Sequence, residues 1–105
     1  MTREDLQKLP VYQTSRIETA CKDLATKLYV IACLKRFYSG DYGELDAEDV
    51  AANERELESG EGHVLGRYKT RHNLGGDIYI ESYFSESLPW LMDSNYTTIL
   101  HRNER

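Results

Sequence analysis

Cysteine and proline are scarce in this sequence, at two residues each, and tryptophan occurs once and phenylalanine twice. Two cysteines cannot form the framework that staples small secreted domains. Cys21 and Cys33 also fall within one helical pattern, where twelve residues of helix separate them by about 18 Å. A disulfide needs Cα atoms within about 7 Å, so both read as small core residues in a reducing compartment. Two prolines exclude a proline-rich linker. The longest apolar run, Leu28 to Leu34, lies between Lys27 and Lys35 and is far too short to span a bilayer. Met1 to Asp5 is polar and has no apolar stretch of the kind a signal peptide carries, so a cytoplasmic protein of the host cell is expected.

Chemistry-bearing patterns are also sparse. His63, His72 and His101 are scattered with no i,i+4 or CxxC companion, which argues against a metal site. Serine, histidine and aspartate occur without a nucleophile elbow or a triad context. The abundant carboxylates lack any visible device for separating two pKa values. The expectation is a protein that is not an enzyme and needs no cofactor or metal.

What is present suits one folded domain over residues 1–105, with 40% hydrophobic and 30% charged residues. Residues 1–13 read as an N-terminal arm with room for one helical turn before Pro10. Ser15-Arg16-Ile17-Glu18 fits a capping box. Ile17, Cys21, Leu24, Leu28, Ile31 and Leu34 then recur at three- and four-residue steps, which predicts one apolar face on a long helix to about Tyr38, with Gly40 as its left-handed cap. A second helix is predicted over Ala47–Ser59, with Asp46 as N-cap, Gly60 as stop and a thin apolar side of Ala47, Val50, Ala51 and Leu57. After Gly62 the period becomes two. Strands are predicted at Val64–Lys69, Asp77–Tyr83 and Tyr96–Leu100, with a turn at Asn73–Gly76 between the first two. Val64 and Tyr68 share one face of the first strand; on the second, Ile78 and Ile80 should face inward and Tyr79, Glu81 and Tyr83 outward. The expected class is α+β, two helices followed by a three-stranded antiparallel sheet (ααβββ), with the first helix covering the sheet.

The net charge of −5 is unevenly spread. Residues 41–61 hold nine acids against Arg55 alone, a sum of −8, and the rest of the chain sums to +3. Asp41, Glu44, Asp46, Glu48, Asp49, Glu54, Glu56 and Glu58 are therefore candidates, with Tyr42, for binding a protein partner that has a basic surface. The alternative is a solvated helix whose acids favour its positive end. Leu88-Pro89-Trp90-Leu91-Met92 either plugs one end of the core or stands exposed, and an exposed Trp90 with Leu91 would be a binding hot spot. Gly40-Asp41-Tyr42-Gly43 is either a turn or the raw material of an anion nest. Direct nucleic-acid binding is disfavoured, because the short basic stretch Arg67, Lys69, Arg71 and His72 is not a continuous footprint. Eight tyrosines suit either half-buried sheet positions or a binding face. In a different class of function, Tyr79, Tyr83 and Trp90 would stack on a nucleotide-like base while Arg67, Lys69 and Arg71 hold its phosphates, across the interface of a homo-oligomer.

Gly40-Asp41-Tyr42-Gly43, Asp46 to Asn53, Gly60 to Tyr68 and Tyr96-Thr97-Thr98-Ile99-Leu100 together resemble a small bacterial family of unknown function. That family has a GDWG-type motif, a following helix with the pattern D…N, and a closing TTIL or TTVL strand. It is found on plasmids, prophages and other mobile elements. The resemblance runs from about Tyr29 onward. Tyr42 stands where the family has Trp, and the Ser85–Asn95 segment is longer than the family's link. Some members carry a restriction-enzyme label, but 105 residues leave no room for a methyltransferase cofactor fold. The family brings no chemistry; what it implies is a mobile-element setting. The resulting expectation is a small acidic phage or plasmid interaction protein that inhibits a host defence factor, such as a CRISPR or restriction nuclease, by occluding a basic surface. The alternative is a sponge for a nucleotide-like immune signal.

Overall fold

Thr14, not Ser15, accepts the hydrogen bond that starts the first long helical pattern, from the Ile17 amide at 3.3 Å. In the computed structural model, which describes residues 1–70, 74–86 and 95–105, that pattern is two helices rather than one. Helix α2 (Ser15–Ala20) ends at Cys21, and α3 (Leu24–Tyr38) begins from Asp23. The Asp23 carboxylate accepts from the Thr26 amide at 3.0 Å and from the Thr26 hydroxyl at 2.8 Å. A side chain that satisfies the first turn of a new helix competes with continuation of the old one. The break resets the helical phase. Thr26, Val30, Cys33 and Phe37 face the core, and Leu24, Leu28 and Ile31, expected to be buried, are exposed. Cys21 and Cys33 therefore sit in different parts of the fold, Cys21 at the end of α2 and Cys33 within α3, and neither is in a disulfide.

The N-terminal arm is also structured. Helix α1 (Arg3–Gln7) is closed by a Thr2/Asp5 capping box and buries Leu6, and strand β1 (Val11–Gln13) follows. Helix α4 (Ala47–Ser59) has the predicted bounds, with Asp46 as N-cap and Gly60 in the left-handed conformation at its end. Its packing differs from expectation: Ala47 and Ala51 are exposed, and Asn53 is buried beside Leu57. Strands β2 (Glu61–Tyr68), β3 (Ile78–Ser85) and β4 (Tyr96–His101) form the predicted antiparallel meander. The sheet has a fourth strand, because β1 pairs parallel with β4 and gives the order β1-β4-β3-β2. The class is α+β, with four α-helices and a mixed four-stranded sheet among the described residues.

One sheet face is covered by helices. Val64, Tyr68, Ile78, Ile80, Phe84 and Ile99 pack there against Ile17, Val30, Cys33 and Phe37. Each large side chain so buried contributes about 1.5–3 kcal/mol relative to an exposed one. The predicted turn near Gly76 is described from Leu74, which joins this core; Asn73 lies outside the described residues.

Gly40-Asp41-Tyr42-Gly43 is consumed by this architecture. The Asp41 amide donates to Arg36 O at 2.9 Å and the Gly40 amide to Phe37 O at 3.2 Å, the paired bonds that close a helix through a left-handed glycine. The chain then runs along the outer edge of β2. Arg67 N donates to Tyr42 O at 3.0 Å, and Glu44 N donates to Arg67 O at 2.7 Å. At Gly43, φ is +74°, and a Cβ there would overlap the Arg67 carbonyl oxygen. Its amide donates to Asp41 Oδ1, so the loop is a turn and an edge cover.

Candidate functional site

The pleat that sends Ile78, Ile80 and Phe84 into the core sends Tyr79, Glu81 and Tyr83 to the opposite face, where Tyr83 is exposed and Tyr79 half-buried. Register decides what joins them. Tyr83 is paired with His63 of β2 on one side and Tyr96 of β4 on the other, and Tyr12 of β1 lies beside Tyr96. His63 and Tyr83 stack with ring centroids 4.9 Å apart and planes 16° from parallel. Tyr83 and Tyr96 follow at 5.5 Å, and Tyr96 and Tyr12 meet edge to face at 6.1 Å. A row of four rings, one from each strand, crosses the sheet, with Tyr83 37% and Tyr12 58% exposed.

Glu81 stands next to this row and is only 5% exposed. Its carboxylate accepts from the Tyr83 hydroxyl at 3.1 Å and from Arg105 Nε, and His63 Nε2 lies 3.7 Å away. The His63 ring is the largest influence on its titration; with Arg105 and Tyr83 it outweighs burial and holds the carboxyl down to about 2. The Arg105 guanidinium also lies 4.8 Å above the Tyr79 ring, a cation–π contact. This part of the face already seats a guanidinium between a carboxylate and an aromatic ring.

Helix α4 runs along the β2 edge and brings acids to the same place. Leu45, Asp49, Asn53 and Glu56 face His63 and Leu65 across a cleft of about 190 Å³. The ring row therefore ends at its His63 side in an acidic cleft.

The residues singled out from the sequence fall in different parts of the structure. Asp41 is bound by Arg36 at 2.7 and 3.2 Å, which holds its carboxyl below the usual range; Tyr42 is in the core; Asp46 caps α4. Glu54 bridges Arg3 at 2.5 Å and the Tyr42 hydroxyl at 3.3 Å, and Glu44 is 3.9 Å from Lys69. Glu48, Asp49 and Glu58 are exposed on α4, and Glu56 lines the cleft with Asp49. Arg67, Tyr79 and Tyr83 share the open face, where Arg67 Nε donates to Asp77 at 2.7 Å. Arg71, Trp90 and Leu91 lie outside the described residues. Sequence reasoning did not single out His63, Tyr96, Tyr12 or Glu81 as site residues. The alternation Tyr79, Glu81, Tyr83 pointed to the face, but strand register alone supplies the other rings.

Among the described residues no group of three or more His, Cys, Asp or Glu is placed to hold a metal ion, and no helix is long and apolar enough to cross a membrane. No protein-family model matches the chain, and no curated protein or solved structure matches it.

Proposed function

We propose that this chain is an interaction protein that binds a protein partner with a basic surface, through the open sheet face and the adjoining α4 cleft. The observation that carries the reading is the continuity of two features. The row Tyr12, Tyr96, Tyr83 and His63 ends at a cleft edged by Asp49 and Glu56. Exposed aromatic rings supply contact area at low entropic cost, and adjacent acids select for cationic partners and speed their encounter. The guanidinium of Arg105 on Glu81 and Tyr79 is an internal example of the chemistry such a partner would use. A nucleic-acid-binding protein has a basic surface of this kind, and a host defence nuclease is the member of that class suggested by the mobile-element resemblance.

The nucleotide-binding alternative sits less well with these contacts. Arg67 is committed to Asp77, and Lys69 lies within reach of Glu44.

The test is affinity capture from a host lysate, with quantitative mass spectrometry, using the wild type, Tyr83→Ala/Tyr96→Ala and Asp49→Lys/Glu56→Lys. The expected capture is of basic, nucleic-acid-binding proteins, displaced by added salt and by duplex DNA, and reduced at least tenfold in both variants. Equal capture by all three proteins would remove the reading. A thermal shift of the wild type with a nucleotide panel, and none of these partners, would favour the alternative.

A further inference from the structure

Helix α3 is apolar on two sides. One side packs into the core, and the other presents Leu24, Leu28 and Ile31, at i, i+4 and i+7, 68%, 57% and 40% exposed. Beside this stripe lies β1, an edge strand whose three residues are all exposed. A groove of about 190 Å³ joins the two elements, lined by Val11 and Gln13 from the strand and Lys27, Val30, Ile31 and Leu34 from the helix.

The hydrogen bonds of β1 leave one side of it open. Thr97 N donates to Pro10 O at 2.8 Å, and Thr14 N donates to Ile99 O at 3.1 Å. Even-numbered residues therefore face β4, and Val11 and Gln13 turn their N–H and C=O groups to the free edge, where the described residues bring them no partner. A bare edge beside an exposed apolar stripe is a surface that natural sheets normally protect.

We infer that this face is covered by a second copy of the chain. One two-fold axis perpendicular to the sheet at Tyr12 satisfies both features. It pairs β1 antiparallel with its counterpart through Val11 and Gln13, and lays α3 antiparallel against α3 of the partner copy, centred on Leu28. Each feature is self-complementary, as an isologous contact requires. Antiparallel helices also bring the Lys35 end of each stripe to the Asp23 end of the other. Leu24, Leu28, Ile31 and Val11, each at least 40% exposed, make up an apolar surface of the kind that marks an interaction site. Tyr12 and its symmetry mate would lie side by side on the open face, joining two ring rows across an eight-stranded sheet.

Sedimentation velocity over a concentration series tests this. The wild type should sediment as a dimer. Leu28→Glu, at a position more than half exposed, should keep the monomer's circular dichroism and weaken self-association roughly a hundredfold. Gln13→Pro removes an edge N–H that makes no bond within the sheet and should weaken it as well. In a Cys21→Ser background, Leu28→Cys should form an intermolecular disulfide on mild oxidation, because the axis passes near that position. A wild type that stays monomeric at its highest attainable concentration overturns the inference. So does a dimer that neither substitution weakens and Leu28→Cys does not cross-link.

Discussion

Asn53 holds both backbone groups of Leu65: its Nδ2 donates to Leu65 O at 2.8 Å, and its Oδ1 accepts from Leu65 N at 3.1 Å. A side-chain amide thus replaces a neighbouring strand along the β2 edge. One step further on, Arg67 is paired in the same direction by the Tyr42–Glu44 segment. Between them α4 and the preceding loop protect an edge that would otherwise be open to pairing. Asn53→Ala removes both bonds and should lower stability by about 2 kcal/mol in urea unfolding. Hydrogen exchange at the Leu65 amide should accelerate in the variant. A loss below about 0.5 kcal/mol with unchanged exchange would mean that water replaces the clip without cost.

Gly43 tests the other half of the edge cover. At φ +74°, with the Arg67 carbonyl where a Cβ would go, alanine meets both a conformational and a steric penalty. Gly43→Ala should cost about 3 kcal/mol or more. Gly75→Ala is the control: φ is +66° and none of the described residues lies within 4 Å of the added Cβ, so the conformational penalty of about 1 kcal/mol is the one expected. Thermal unfolding of the two variants should separate them clearly, and equal losses would show that the contact with β2 relaxes away.

Ser82 and Thr97 face each other across β3 and β4, fully buried, with their hydroxyl oxygens 2.6 Å apart. Ser82→Ala or Thr97→Val alone leaves one buried hydroxyl without its partner, at about 1–3 kcal/mol. The double variant removes both and should cost clearly less than the sum, with a coupling of about 1 kcal/mol or more. Strict additivity in urea unfolding would mean that each hydroxyl has another partner.

How much of this was legible in the sequence follows the range of the forces involved. Helix α4 was readable to the residue, because Asp46 and Gly60 act locally. The three antiparallel strands were readable from alternation. Strand β1 was not: three exposed residues carry no period, and its pairing with β4 spans most of the chain. The break before α3 did leave a local signal, since Asp23 and Thr26 stand at N-cap spacing, but the continuous apolar period concealed it. Missing it placed Leu24, Leu28 and Ile31 in the core instead of on the surface. For the candidate site, Tyr79 and Tyr83 could be placed on an outward face, whereas His63, Tyr96 and Tyr12 join them only through register. The acids of α4 were visible as a charge sum, but their division into internally paired Glu54 and cleft-lining Asp49 and Glu56 depends on where Arg3 and β2 lie.

Glu81 makes stability depend on acid pH, and the direction follows from its surroundings. The ordinary value for its carboxyl is 4.5; His63, Arg105 and Tyr83 bring it to about 2 in the folded protein. A carboxyl whose folded-state value lies below its unfolded one contributes stability that is complete above the unfolded value and is lost as pH falls through the folded one. The contribution of Glu81 should therefore be whole above about pH 4.5 and decline towards pH 2. Glu81→Gln keeps the shape and removes the titration. It should be less stable than the wild type at neutral pH, where His63 and Arg105 face a neutral amide, and the gap should close as the pH falls. Asp5 and Asp41, whose carboxyls are also held low, remain in the variant and give it a residual slope of the same sign. Because Glu81 is buried, added salt should shift the wild-type curve little. Urea unfolding of both proteins from neutral pH down to pH 2 measures this directly. Parallel curves would show that the Glu81 carboxylate titrates alike in the folded and unfolded chains, and that its seat beneath the ring row does not select for charge.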